Sequence, residues 1–212
     1  MRAAEQQRPD VAQARAGWHT DAAAGVGGIA PERLVFLDEC GVLTTLTRLY
    51  GRSPRGQRAT GSVPLGCKKR LSVLGALGTE GMMASLGLHG AVNAASFAAY
   101  LEDVLLPDLR RHKPDAVLIM DNLPVHKTAR VRAVLDGSGF PYRYLPADSL
   151  DPRSASRPEP IEPGWAKLKS HLRRVAARTI DALHQALGPA LDAITPQDAA
   201  GFFRHCGYKG LN

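Results

Sequence analysis

The sequence predicts an α/β protein whose sheet is covered by helices on both faces. Two apolar runs, Leu34–Leu37 and Ala116–Met120, contain no polar residue, which is typical of strands buried on both sides. From Ile161 onward the apolar residues recur with helical spacing. The order of elements is strands first, then helices and strands in alternation, then helices. This order indicates one sheet in which the two apolar strands are central.

The chain is long enough to form one domain with a full hydrophobic core, since it has 212 residues and ordinary apolar content. We expect residues 1–30 to form a peripheral helical lead and a flexible linker, with Gly25-Val26-Gly27-Gly28 as the connector. Residues 31–212 would form the domain. The connector lacks the preceding strand and the Gly-Lys-Ser/Thr ending of a phosphate-binding loop.

The composition also excludes several classes of protein. The longest uncharged stretch, from Gly81 to Leu101, carries glycines and polar residues and does not predict a membrane span. The N-terminus lacks the apolar segment of a secretory signal, so we expect a cytoplasmic protein. Cys40, Cys67 and Cys206 are odd in number and far apart, which predicts buried or incidental thiols rather than disulfides or a zinc site.

The strands follow from β-branched and apolar runs between turn residues. Three threonines favour a second strand over Val42–Tyr50, and the Gly-, Pro- and Arg-rich segment Gly51–Pro64 predicts a loop. The other predicted strands are Arg70–Leu77, Met82–Leu88, the run that ends at Asp121, and Phe140–Leu145.

The helices are marked by capping residues and by apolar periodicity. The apolar stripe of the helix from Ile161 comprises Ile161, Trp165, Leu168, Leu172 and Val175. The expected helices are one from Asn93 that Pro107 kinks or ends, one over Thr128–Asp136 that Gly137 ends, the one from Ile161, and two closing helices from Thr179 and Thr195, the last ending at Gly207.

Three acidic residues stand at the edges of these apolar elements. Asp38 and Asp121 each close an apolar strand, and Glu162 stands at the head of the helix from Ile161. A carboxylate at the end of a buried strand is costly unless a cation or hydrogen bonds hold it. If the two central strands are neighbours, the two aspartates lie side by side. Three such groups indicate a divalent-metal site, whereas an ordinary strand-end acid is the alternative for each aspartate taken alone.

The positive charge is concentrated in two segments of a chain whose formal net charge is +7. Residues 41–79 contain seven basic and no acidic residues, and residues 163–180 contain five basic and no acidic residues. Both segments begin just beyond a candidate metal ligand, as expected for a polyanionic substrate that crosses a metal site; a solvated basic face is the alternative. The candidate contacts to the polyanion are Arg48, Arg52, Arg55, Arg58, Lys68, Lys69, Lys167, Lys169 and Arg173.

Four strings, in order along the chain, carry a resemblance to a known family. They are Leu37-Asp38-Glu39-Cys40-Gly41, Thr47-Arg48-Leu49-Tyr50-Gly51-Arg52, Met120-Asp121-Asn122-Leu123-Pro124-Val125-His126-Lys127 and Pro160-Ile161-Glu162-Pro163-Gly164-Trp165-Ala166-Lys167-Leu168-Lys169. Together they resemble the bacterial insertion-sequence transposases of the mariner-like superfamily, the DDE endonucleases, over Pro31–Tyr208.

The resemblance implies a ribonuclease-H-like fold, with a central mixed sheet flanked by helices and a helical C-terminal end. It implies two Mg²⁺ or Mn²⁺ ions, cleavage of DNA at transposon ends, and transfer of the freed 3′ hydroxyl into target DNA. By position, Asp38, Asp121 and Glu162 match the catalytic metal ligands of the family. We expect Asp38 to bridge both ions and the other two acids to complete one metal shell each. The polyanion of the basic segments would then be DNA.

The neighbours of these acids have two interpretations each. Glu39, Asn122 and His126 are predicted to contact the metal ligands and hold them in place. The alternative for Glu39 is a charge at the strand end, for Asn122 a cap of its own loop, and for His126 a buried imidazole with its hydrogen bonds made elsewhere. Trp165 lies on the apolar stripe, which favours helix core over a platform for base stacking.

The sequence departs from the family pattern in two places. Asp121 and Glu162 are 41 residues apart, several more than is usual, so the intervening loop has to bulge outward for the helix to place Glu162. Glu159 stands where the family has Asn, which makes it an alternative third ligand. The family's N-terminal helix-turn-helix region has no counterpart, which indicates one product of a split reading frame or a fragment. We therefore do not expect this chain alone to recognise the transposon ends, and a separate N-terminal DNA-binding polypeptide is one partner that could do so.

The expected function is therefore that of a DDE transposase catalytic domain, with DNA and a second copy of the chain as partners. Two alternatives stay open. One is a catalytically inactive DNA-binding remnant, and the other is a stand-alone ribonuclease-H-like nuclease without strand transfer.

Overall fold

A five-stranded sheet forms the centre of the computed structural model, which describes residue 13 and residues 16–23, 25–66, 69–146 and 159–210. Its strands are Leu34–Leu43 (β1), Arg70–Gly78 (β2), Gly81–His89 (β3), Val117–Met120 (β4) and Tyr142–Tyr144 (β5). The strand order is β3-β2-β1-β4-β5. The first three strands pair antiparallel, whereas β1, β4 and β5 run parallel. The sheet is therefore mixed, with the two apolar strands adjacent at its centre.

Helices pack on both faces of this sheet. They are Ala94–Tyr100 (α1), Leu106–His112 (α2), Ala129–Ser138 (α3), Ile161–Val175 (α4), Ile180–Asp192 (α5) and Pro196–His205 (α6). A π-helical turn over Leu101–Leu105 joins α1 to α2, and short 3₁₀ turns occupy Pro31–Arg33 and Pro124–Lys127. Of the helices in the described residues, none has both the length and the apolar character that a membrane crossing requires.

The sheet separates two hydrophobic cores. Successive side chains of β1 point to opposite faces, so Leu34 and Phe36 enter a first core while Val35 and Leu37 enter a second. Side chains of α4, α5 and α6 complete the first core. Side chains of α1, α2 and α3 complete the second. Even-numbered residues of β1 therefore face the first core, and odd-numbered residues face the second.

The predicted strands are confirmed except for the one expected over Val42–Tyr50, which is wrong. β1 continues through Asp38 to Leu43, where it still pairs with Arg70 of β2. The chain then leaves the sheet in a turn, in which the Leu46 amide donates to the Leu43 carbonyl. The three threonines therefore follow a strand rather than forming one, and Asp38 lies inside β1 rather than at its end.

Two of the predicted helix ends require correction. Gly137 lies inside α3, and the helix ends at Gly139, whose φ of 81° supplies the left-handed C-cap. Val175 does not belong to the buried stripe of α4, because it is 47% exposed at the last turn.

The predicted capping residues at the starts of three helices are confirmed. Asn93 forms a capping box with Ser96 at the start of α1, and Thr179 and Thr195 cap α5 and α6. The predicted break near Pro107 takes the form of the π-helical turn. Pro107 then lies in the first turn of α2, directly after this π-helical turn.

The glycine-rich segment predicted as a flexible connector is packed. A Cβ on Gly25 would lie 2.2 Å from the carbonyl oxygen of Trp18, and one on Gly27 would lie 2.3 Å from that of Thr20. Trp18 and Val26 are buried in the first core. The helical lead expected over residues 3–16 falls almost wholly outside the described residues, and the division of the chain at residue 30 stays a prediction.

Candidate metal centre and nucleic-acid interface

The parallel pairing of β1 with β4 places Asp38 and Asp121 next to each other. Leu37 pairs with Met120, the last residue of β4, and the two aspartates are the residues that follow. β1 continues along β2 while β4 ends, so Asp38 lies opposite Gly75 on its other side. The sequence therefore predicts correctly that the two acids are neighbours.

α4 brings a hydrogen-bond donor to Asp38. The indole Nε1 of Trp165 donates to Oδ2 of Asp38 at 2.8 Å. A Cβ on Gly75 would lie 2.9 Å from Cη2 of the same indole, so the glycine leaves room for the ring. Trp165 is 2% exposed in the first core, which confirms its prediction as helix core. Its second role, as a donor to Asp38, has no signal in the local sequence pattern.

Asp38 lies in the electrostatic field of the other two acids. Burial raises its pKa, hydrogen bonds from the Glu39 backbone and the Trp165 indole oppose the rise, and the charges of Glu162 and Asp121 add to it. The resulting pKa is about 7. Both other predicted ligands are thus close enough to disfavour the charge on Asp38, which is the condition that a bound cation would relieve.

Asp121 is held by its own partners on the opposite side of the sheet. Its Oδ1 contacts Nδ1 of His126 and accepts a hydrogen bond from the Leu123 amide at 3.2 Å. His126 Nε2 lies 3.4 Å from Oε2 of Glu39, so the imidazole stands between two carboxylates. The ring of Phe97 packs against this imidazole, with 4.2 Å between the ring centroids.

His126 is fully buried, and burial alone would lower its pKa. The carboxylates of Asp121 and Glu39 outweigh that effect and raise the pKa to about 9. The buried imidazole is therefore held in its charged form at neutral pH. Glu39 faces His126 in the second core while Asp38 faces Trp165 in the first, because successive residues of β1 point to opposite faces.

Carboxylate oxygens are the donors that Mg²⁺ and Mn²⁺ prefer, so the three acids fit such ions chemically. In their present rotamers, however, no three His, Cys, Asp or Glu side chains among the described residues are grouped so that they could hold a metal ion. Asp38 is turned to Trp165 and Asp121 to His126. Binding of metal therefore requires these carboxylates and Glu162 to move closer together.

Glu159 and Asn122 take different positions from the three acids. Glu159 is 3% exposed and its charge acts on the Tyr208 hydroxyl, whereas the charge of Glu162 acts on Asp38. This favours Glu162 over Glu159 as the third acid of the group. The side-chain oxygen of Asn122 is buried and accepts no hydrogen bond from the described residues.

Two lysines of α4 that were predicted to contact the polyanion have partners within the protein. Lys169 hydrogen-bonds to the thiol of Cys40, whose pKa burial raises to about 11 despite the nearby ammonium group. Lys167 pairs with Asp198 of α6. Lys169 therefore faces β1 two residues beyond Asp38, whereas Lys167 ties two helices together and is a weaker candidate for a DNA contact than predicted.

The two basic segments converge on one cleft of about 640 Å³. Of the predicted contacts, Arg48, Arg52 and Arg173 line it, and Arg174 and Arg178 complete a set of five arginines. Arg174 and Arg178 are not among the predicted contacts, although they lie within five residues of Arg173 in the same basic segment. Arg55, Arg58 and Lys69 are exposed outside this lining, and Lys68 lies outside the described residues.

Cys40 and Cys206 are buried as predicted, and Cys67 is outside the described residues.

Comparison with solved structures gives matches over nearly the whole chain. In the Mos1 transposase paired-end complex with the left transposon end, the TM-score is 0.69 at 18% identity, covering 97% of this chain and 59% of that one. The Mos1 mariner paired-end complex with Mn gives 0.70 at 18% identity, covering 97% and 60%. The Mos1 transposase catalytic domain with Raltegravir and Mn gives 0.65 at 16% identity, covering 97% and 90%. The chain thus spans about three-fifths of the longer Mos1 chains.

The fold is therefore the ribonuclease-H-like fold of the Mos1 catalytic domain, as the sequence predicts. Comparison with curated protein sequences gives no match. The family model described as DDE superfamily endonuclease matches residues 33–184, which is well over half of the chain and includes Asp38, Asp121 and Glu162. The chain belongs to the DDE superfamily endonucleases.

Proposed function

We propose that this chain is a transposase catalytic unit that cleaves DNA at transposon ends and joins the freed 3′ hydroxyl to target DNA. The observation that carries the proposal is that Asp38 and Asp121 directly follow a paired position, Leu37 and Met120, of adjacent parallel strands, in a chain of the DDE endonuclease family. The charge of Glu162 on α4 also acts on Asp38. The substrate class comes from the Mos1 structures, which are complexes with transposon ends.

The metal ions of the proposal are Mg²⁺ or Mn²⁺, which occur in the Mos1 structures. Two such ions would activate the attacking oxygen and stabilise the leaving oxygen of a phosphodiester. Asp38 would hold both ions because the charges of both other acids act on it, and Asp121 and Glu162 would hold one each. Trp165 and His126 orient Asp38 and Asp121 and keep these carboxylates apart from bulk water.

The proposal assigns the DNA backbone to the basic segments. Arg48, Arg52 and Arg173 lie around one cleft, and Lys169 lies beside Cys40 near Asp38, so cations are available both at the acids and away from them. The partner of the proposal is a second copy of the chain. The Mos1 complexes that pair two ends support the second copy.

The test is a nicking and joining assay on a plasmid that carries the genomic DNA on both sides of the coding sequence. With Mg²⁺ or Mn²⁺ the wild-type chain should nick the plasmid and join a labelled 3′-hydroxyl oligonucleotide to a second plasmid. Asp121→Asn should reduce both products to background while DNA binding in EDTA is retained. Nicking without joining would indicate the stand-alone nuclease, and nicking by Asp121→Asn at the wild-type rate would contradict the proposed metal site.

The DNA-binding remnant is the second candidate function, and one observation favours it. Asp38 and Asp121 are each held by a neighbour, and within the described residues the acids do not surround a common point. Isothermal titration of Mn²⁺ into the wild-type chain discriminates the two. Binding that Asp121→Asn abolishes supports the enzyme, and no binding at millimolar Mn²⁺ supports the remnant.

A further inference from the structure

The five arginines of the cleft described above, Arg48, Arg52, Arg173, Arg174 and Arg178, define a feature that we call the arginine cleft. It lies between the segment 47–63 and the C-terminal end of α4. No acidic residue of the described part of the chain lines it. Within the part of the chain that the structure describes, none of the five arginines forms an ion pair with a carboxylate. The cleft therefore presents concentrated and uncompensated positive charge.

The cleft is held in shape by one of its own arginines. Nη1 of Arg178 donates to the carbonyl oxygens of Thr44 at 3.2 Å and Leu46 at 2.8 Å. These bonds fasten the start of the 47–63 segment to the chain just beyond α4, where Ala176 ends the helix with a φ of 54°. Nε of Arg173 is shielded from solvent and has no hydrogen-bond partner among the described residues. A buried guanidinium donor that lines a cleft and lacks an acceptor is a site for an anion.

An aromatic side chain stands in the same lining. Tyr50 is 91% exposed, and its neighbour Leu49 is 66% exposed. An exposed tyrosine among arginines is the combination that binds single-stranded nucleic acid, because bases stack on the ring while the guanidinium groups hold phosphates. Binding to a duplex would use the arginines alone, since paired bases keep their faces inside the stack.

The size of the cleft also favours a single strand. A volume of 640 Å³ corresponds to a cube about 9 Å on a side. A duplex is wider than its own major groove, which is roughly 12 Å across, so it is too wide for this space. A duplex can touch the rim of such a cleft, but it cannot enter it. One strand with its bases unpaired can enter and reach both Tyr50 and Arg173.

The cleft is linked to the candidate metal centre by a rigid element. Glu162 lies in the first turn of α4 and Arg173 in the last, and their separation of eleven residues corresponds to about 16 Å along the helix. At roughly 3.4 Å per nucleotide of a stacked strand, this is about five nucleotides. A strand that leaves the acids along α4 would therefore reach the cleft after about five unpaired nucleotides.

We propose that the arginine cleft binds single-stranded DNA, with the phosphates on its arginines and a base on Tyr50, and that this strand is the unpaired end next to the cleavage site. The binding of a single strand stands on the cleft alone. Its placement next to a cleavage site rests on the proposed function, because it assumes that the acids act on DNA.

The binding test is fluorescence anisotropy in EDTA, so that no catalysis is involved. The probes are a labelled ten-nucleotide oligothymidine and a duplex of random sequence, each with the full chain. Tyr50→Ala should weaken binding of the single strand about 5- to 100-fold while duplex binding changes less than twofold. Tyr50→Phe should bind like the wild type. Arg52→Ala should weaken both probes, and the matched control Arg111→Ala, which removes an exposed arginine of α2, should weaken neither by more than twofold.

Tyr50 and Arg52 are exposed, so these variants should fold like the wild type. Equal losses for strand and duplex in Tyr50→Ala, or no loss for either, would overturn the proposal. A wild-type dimer that Tyr50→Ala converts to a monomer with unchanged affinity for the strand would also overturn it, because the cleft would then be an interface between two copies of the chain.

A second measurement separates this proposal from the proposed function. Nicking should be compared on ends that carry unpaired tails of zero, two, five and eight nucleotides. A gain of about tenfold between two and five nucleotides that Tyr50→Ala removes supports the placement of the strand. If the chain binds the single strand selectively but does not nick DNA with either metal, the proposal for the cleft is supported and the proposed function is rejected. Nicking that ignores tail length and Tyr50 keeps the proposed function and rejects the placement.

Discussion

Trp165 shows how one residue serves both the core and the candidate site. Its ring is buried in the first core, and its N–H points to the carboxylate of Asp38. The helical period predicts the burial, since Trp165 lies on the apolar stripe of α4. The direction of the N–H depends on where α4 crosses β1 and on the space left by Gly75 on β2. Contacts between segments so far apart in sequence cannot be read from a local pattern.

The first prediction concerns this contact. Trp165→Phe keeps most of the buried ring and removes only the N–H, so Asp38 loses the donor that orients it. If the proposed function holds, kcat for nicking should fall about 10- to 100-fold, as is typical when a partner of a metal ligand is removed. The Kd for DNA in EDTA should stay within twofold of wild type.

The control for this substitution is Trp18→Phe. It removes an indole N–H that donates to Tyr208, on the N-terminal segment rather than at the acids. Nicking by this control should match the wild type at a temperature where both variants are folded. An unchanged kcat in Trp165→Phe, or an equal loss in both variants, would contradict the assigned role of Trp165.

α4 is the element that connects the candidate metal centre to the arginine cleft, and α6 supports it. Asp198 in the first turn of α6 accepts hydrogen bonds from Thr195 and pairs with Lys167 of α4. Hydrogen bonds from the Lys167 ammonium group and from Thr195 lower the pKa of Asp198 to about 2. The carboxylate thus caps one helix and anchors a second.

The second prediction follows from this pKa. Because the folded-state pKa lies below the unfolded value of about 3.8, Asp198 stabilises the fold fully above pH 4 and loses its effect as the pH falls through 2. Asp198→Asn should lower the free energy of unfolding by about 1 kcal/mol at pH 7, a small value because the pair is partly exposed. At pH 3 the difference between wild type and variant should be about half as large.

Urea unfolding at pH 7 and pH 3 measures this difference. Asp181→Asn is the matched control, since Asp181 lies in the first turn of α5 and has no ion-pair partner among the described residues. Its effect should stay below about 0.5 kcal/mol at both pH values. A difference for Asp198→Asn that grows toward pH 3 would contradict the assignment.

Errors in element prediction have local physical reasons. Gly137 and Gly139 are both close to the end of α3, and only the left-handed φ of Gly139 decides which one caps the helix. Thr44, Thr45 and Thr47 have high strand propensity, but the chain turns at Leu43 because β2 ends its pairing with β1 there. Strand propensity says how well a residue type suits a strand, whereas the length of the partner strand decides where the pairing stops.

At the scale of the whole molecule, the N-terminal segment closes the first core against the C-terminal end. Nε1 of Trp18 donates to the hydroxyl of Tyr208 at 2.9 Å. The Tyr208 ring contacts those of Phe36 and Phe203 at centroid distances of 5.4 and 5.5 Å. Trp18 and Val26 of this segment are therefore part of the first core.

The third prediction tests this closure. Trp18→Ala should lower the free energy of unfolding by about 3 to 5 kcal/mol, because it leaves a cavity in the first core. Trp18→Phe should lower it by only about 1 kcal/mol, mainly through the lost hydrogen bond to Tyr208. Urea unfolding of both variants measures the two values. A loss below about 0.5 kcal/mol for Trp18→Ala would mean that the segment is a linker, as the glycines suggested.

Much of the fold and the identity of the three acids follow from the sequence by itself. Apolar runs identify the central strands because a strand buried on both faces admits few polar residues. The ordered motifs around Asp38, Asp121 and Glu162 carry the family resemblance, which the family-model match over residues 33–184 confirms. Both basic segments are also visible in the sequence, because they are stretches that contain basic residues and no acidic ones.

The tertiary structure alone decided which of these residues meet. The parity of β1 separates Asp38 from Glu39, so one acid faces Trp165 and the other faces His126. The basic segments become one cleft only because Arg178 reaches back to the carbonyls of Thr44 and Leu46. Such contacts join segments about 130 residues apart, and they depend on the direction of a side chain across a packed interface, which residue type and spacing do not specify.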